Sequence, residues 1–150
     1  MACDDGTVTV SVELAQRTAR VASEQAARAG VSLGEYVRAL VAGEVERRRP
    51  WRFEIEFDEG RTATHGTTVD ELYDRVGAFV EPYGNVRVAR GTWQAREGAD
   101  EFRAQPVALA RLVRERWVMQ SVRAITYCEN GIEGDYLDVV HRVSPQLICD

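Results

Sequence analysis

Two histidines, His65 and His141, carry the only imidazoles in the chain, the side chains best suited to general acid–base work at neutral pH. His65 stands beside Gly66 at the expected end of a strand, and His141 falls within an expected apolar strand. Neither has a nucleophile or carboxylate at a spacing that would assemble a catalytic pair, so both read as ordinary hydrogen-bonded side chains. Cys3, Cys128 and Cys149 are three scattered thiols without a CxxC pair, which argues against a disulfide framework and a structural zinc site. Glu54, Glu56, Asp58 and Glu59 fit the solvent face of a strand and its turn. Glu129, Glu133, Asp135 and Asp138 flank two glycines but lack the residue order of a calcium loop. Trp51, Trp93 and Trp117 have no basic residues interleaved as a nucleic-acid stacking platform would, and read as core or interface. The expectation is a non-enzyme with no catalytic residue, no metal site and no cofactor.

What remains is hydrogen-bonding chemistry, and it depends on the elements that present it. Thr7-Val8-Thr9-Val10-Ser11-Val12 alternates polar and β-branched apolar residues, the period of a strand with one buried face. Leu14 to Ala29 carries apolar or small residues at helical spacing. Gly30 supplies the left-handed stop. Ser32-Leu33-Gly34-Glu35 opens a second helix with a capping box, and Val31 and Tyr36 stand at the positions of a hydrophobic staple. Two registers are open. The strand ends at Val12, with Glu13 in the first helical turn, or it runs to Leu14 and puts Glu13 on the same side as the hydroxyls; the first is preferred because an acid suits the helix's positive end. A lone strand and so short a segment cannot fold unaided, so the chain is expected to form a homodimer through the N-terminal strand. The alternative is that the same elements belong to a larger monomeric α+β core.

The Thr7–Val12 alternation, the turn Ala29-Gly30-Val31-Ser32 and the helix Glu35-Tyr36-Val37-Arg38-Ala39-Leu40-Val41 together resemble the ribbon-helix-helix (Arc/Met repressor-like) family. The resemblance covers about the first third of the chain. It implies two chains pairing their strands into an antiparallel ribbon that enters the major groove of double-stranded DNA. Thr7, Thr9 and Ser11 would then face the bases. The backbone N–H groups of Ser32, Leu33 and Gly34 would hold a phosphate, with Arg17 and Arg20 as flanking phosphate contacts. The implied function is a dimeric DNA-binding transcriptional regulator. Asp4 and Asp5 ahead of the strand, and hydroxyls where the family commonly places Arg, Lys, Asn or Gln, leave a second reading open. In it, the ribbon serves only dimerisation in an antitoxin-like or phage accessory protein.

The 150 residues are 45% apolar and 29% charged, as in a folded globular domain. There is no membrane-length apolar run and no signal-peptide order at the start, so the cytoplasm is expected and no membrane. All 19 basic residues are arginine, which a GC-rich genome would explain as readily as phosphate binding. The net charge of −5 is uneven. Seven arginines balance seven acids before Pro50, whereas twelve arginines face seventeen acids from there on. The neutral head permits DNA binding, which needs only a local basic face.

Arg47-Arg48-Arg49 followed by Pro50 ends the second helix and places the boundary, giving a ribbon-helix-helix module over 1–49 and an α+β domain over 50–150. In the latter the pattern predicts a strand over 51–57, a returning strand over Arg61–His65, and a helix opened by the capping box Thr68–Glu71. A strand over Val86–Trp93, a loop over 94–100, and a helix entered at Pro106 and carrying Trp117 follow. Two strands, Ser121–Cys128 and Tyr136–Val143, close the chain. The fold class is α+β with a mostly antiparallel sheet, and its role is open among ligand, partner and oligomer binding.

Overall fold

The structure, a computed structural model, describes residues 6–149. Cys3, Asp4 and Asp5 lie outside the described residues. The chain divides into two compact units, residues 1–44 and 45–150, with the division inside a helix.

In the first unit residues 6–15 are neither helix nor strand. The strand expected over Thr7–Val12 does not form within one chain, because no second strand meets its backbone groups. Helix α1 spans Gln16–Ala29 and is closed by Gly30 at φ 71°. The Gly30 N–H reaches the Ala27 carbonyl at 3.1 Å and the Val31 N–H reaches Ala26 at 3.1 Å, the paired bonds of a Schellman stop. The helix starts two residues later than expected, so Glu13 is not in its first turn as the preferred register had it. No side chain caps Gln16, and Ala15 before it is extended, at ψ 142°. Helix α2 spans Leu33–Arg48. Its capping box forms as expected: the Ser32 N–H donates to the Glu35 carboxylate at 2.8 Å, and the Glu35 N–H to the Ser32 hydroxyl at 3.2 Å.

The second unit is α+β. Strands β1 (Arg52–Phe57), β2 (Asn85–Ala89), β3 (Thr92–Ala95), β4 (Val122–Glu129) and β5 (Ile132–Asp135) make one antiparallel sheet in the order β2-β3-β1-β4-β5. The alternation in β1 puts Phe53, Ile55 and Phe57 on a buried face, with Glu54 and Glu56 on the exposed one. Phe53 stacks on Trp93 at 5.6 Å, and Ile55 lies beside Ile125. Helix α4 (Val69–Val80) lends Leu72, Val76 and Val80 to the same core, and its capping box forms as the sequence predicts.

Four expectations are corrected. Arg61–His65 is no strand: Arg61–Thr64 belong to helix α3 (Glu59–Thr64) and His65 follows it, because the Asp58 carboxylate accepts the Arg61 N–H at 2.8 Å and caps a turn there. Val86–Trp93 is not one strand; Arg90-Gly91 folds it into the hairpin β2–β3, with β3 running to Ala95 inside the expected loop. Pro106 does not open a helix but sits inside one. A wide π-turn over Arg103–Val107 accommodates the missing N–H and leads into α5 (Ala108–Leu112), while Trp117 lies on the separate helix α6 (Arg116–Met119). Tyr136–Val143 is helix α7, capped by Asp135, whose carboxylate accepts the Leu137 N–H at 2.9 Å. The partner of β4 is instead the short β5, turned at Asn130-Gly131. Buried Asn85 ties the π-turn to the sheet, donating to the carbonyls of Val80, at 3.0 Å, and Ala104, while its own carbonyl accepts from the Gln105 amide.

Candidate nucleic-acid interface

Thr7, Thr9 and Ser11 lie in the segment ahead of α1, all exposed. In an extended chain they share one side with Glu13, and Val8, Val10, Val12 and Leu14 share the other. The four apolar residues are also exposed, Val8 at 81% and Val10 at 75%, which is unusual for a β-branched run. Arg17 and Arg20 stand exposed in the first turns of α1. Arg20 pairs with Glu24 at 3.7 Å, a solvated contact that holds it weakly.

At the head of α2 the three proposed phosphate donors are not equivalent. The Ser32 N–H is already bonded to Glu35, and the first intrahelical bond runs from the Tyr36 N–H to the Ser32 carbonyl at 3.0 Å. The N–H groups of Leu33 and Gly34 precede that bond and point from the positive end of the helix. The backbone hydrogen bond from Ser32, helped by its hydroxyl, keeps the Glu35 carboxyl below its ordinary range and therefore charged. An anion at this terminus meets two free donors and one carboxylate.

Helix α2 also carries an apolar stripe. Leu33, Tyr36, Val37, Leu40, Val41 and Val45 recur at the i, i+3, i+4, i+7 spacing of one helix face. Leu40, Val41 and Val45 are each more than half exposed. Ala26 is the only buried residue of α1, and α2 has none.

In the second unit the two histidines stand on separate elements, and His141 shares the lining of one cavity with Cys149. His65 ends α3 and His141 lies exposed on α7. Among the described residues no three His, Cys, Asp or Glu side chains come together as a metal site. Trp93 is in the core; Trp117 lies under the Arg75 guanidinium at 4.3 Å; the Trp51 indole N–H donates to Asn130 at 3.1 Å. Sequence reasoning missed one assembly, a cavity of about 450 Å³ bounded by Phe102, Tyr127, Glu129 and Tyr136. It forms only because residues 136–143 are a helix, and Asp135 at the N-cap position was the signal for that. Among the described residues no helix is long and apolar enough to cross a membrane. No family model, curated protein or solved structure matches the chain.

Proposed function

We propose that the chain is a DNA-binding transcriptional regulator acting as a dimer, its first unit pairing with that of a second copy as a ribbon-helix-helix. The observation that carries this reading is the apolar surface of the head. Nine of the fifteen exposed large apolar side chains among the described residues fall in the first unit, between Val8 and Val41, in alternation before α1 and at helical spacing on α2. A surface of that size and pattern calls for a partner. A second copy would give Thr7–Leu14 a strand to pair with and bring four helices around one core. Thr7, Thr9 and Ser11 would then face the major groove, with Leu33 and Gly34 toward a phosphate. The second reading, a ribbon used for dimerisation only in an antitoxin-like or phage accessory protein, is favoured by Glu13 on the hydroxyl side and by Glu35 at the head of α2.

Selection from random duplexes at low salt separates the two. The first reading expects an enriched sequence. Thr9→Ala should relax preference at one position by about 1–3 kcal/mol, and Arg17→Ala should weaken all sequences and lower the salt slope by about one unit. A dimer by light scattering that enriches no duplex leaves the second reading.

A further inference from the structure

The cavity bounded by Phe102, Tyr127, Glu129 and Tyr136 lies between the π-turn, the end of β4 and the start of α7. Its volume, about 450 Å³, is that of a small-molecule site. Alternation along β4 turns Ile125, Tyr127 and Glu129 to the side of the sheet that the helices cover. A carboxylate is thereby carried among apolar walls, where Pro106 and Val139 complete the lining. The Glu129 carboxylate has no hydrogen bond or ion pair among the described residues, and burial alone pushes it above the ordinary range. The Tyr136 ring meets Tyr127 edge-on at 6.1 Å and 89°. Gly134, paired opposite Tyr127, makes room for this, since a side chain there would fall within the Tyr127 ring. Phe102, 62% exposed, stands at the mouth.

These features select a ligand by its charge. An anion would be repelled by Glu129. A neutral apolar molecule would strip water from the carboxylate and return nothing. A metal ion would find too few oxygens. A positive head on an apolar body satisfies every wall, because aromatic rings and a half-buried carboxylate both attract a cation. We propose that this cavity binds a small organic ammonium ion, its head between Glu129 and the rings of Tyr127 and Tyr136 and its body against Phe102, Pro106 and Val139.

Benzylamine, benzyl alcohol and benzoate share one body and differ in charge, so calorimetric titration of the full chain with each at neutral pH tests the assignment. Benzylamine should bind at least about tenfold tighter than benzyl alcohol, the scale of one partly desolvated cation–carboxylate and cation–π contact, and benzoate weakest. Glu129→Gln should abolish the preference for the amine, and Phe102→Ala should weaken amine and alcohol alike. Equal affinity for all three ligands, no binding of any, or a preference that survives in Glu129→Gln would overturn the proposal. The comparison of the three ligands on the unaltered protein decides the matter even if Glu129→Gln does not fold. The titration contains no DNA, so its failure leaves the dimeric DNA-binding reading standing, and the converse holds.

Discussion

Gly91 turns the chain between β2 and β3 at φ 79° while its carbonyl accepts the Ile55 N–H at 2.8 Å. A Cβ at this position would stand 2.8 Å from the Ile55 carbonyl oxygen and 3.2 Å from the Tyr73 ring. Backbone and ring leave it no room, and the positive φ adds its own penalty. Gly91→Ala is therefore expected to cost more than about 2 kcal/mol, read as a lowered calorimetric midpoint; an unchanged midpoint would refute it. Glu71 gives a second prediction. The Thr68 backbone N–H, then the hydroxyls of Thr67 and Thr68, hold its carboxyl below the ordinary value of 4.5. A depressed folded-state value adds stability above the ordinary range and loses it as the pH falls through the folded value. Wild type should melt above Glu71→Gln at neutral pH, and the two should converge in acid. A gap that stays constant down to acid pH would show that the charge is not what matters. Both capping boxes were legible in the sequence because each is a contact over three residues. Glu129 was not, because its role depends on side chains from residue 102 to residue 139.

Among the elements, the sequence was legible wherever period and cap agree, as in β1, α4 and β4. It failed where they compete. Tyr136–Val143 is rich in β-branched and aromatic residues, which favour a strand, yet the Asp135 cap and the placing of Leu137 and Val140 toward the core make it α7. Helix α3 is six residues long, too short to show a period, and only Asp58 announces it. The segment ahead of α1 poses the opposite problem, a strand pattern with no strand to pair with. If the proposed ribbon forms, Val10→Pro removes a ladder donor and should turn a dimer into a monomer by light scattering, with melting of the second unit unchanged. A Val10→Pro protein that remains dimeric would place the interface elsewhere.

At the scale of the molecule the two units differ in what they bury. The second closes a core around Trp93, Phe53 and Ile55, all fully buried. A fragment of residues 45–150 should therefore melt in one cooperative transition, and a disordered circular-dichroism spectrum would show that it depends on the head. That fragment keeps Glu46 and Arg47, against which the turn at Gly131 is packed. The charge division counted at Pro50 does not follow the two units: residues 1–44 carry four arginines and six acids, and residues 45–150 carry fifteen arginines and eighteen acids.

The exposed valines and leucines of the head carry a kinetic consequence. The second unit completes itself, so its folding is first order and indifferent to abundance. A head that is finished only by another copy folds by a bimolecular step. Under the proposed pairing, the concentration of competent heads rises as the square of the chain concentration while the protein is scarce. Dilution would then switch such a regulator off without unfolding its other half.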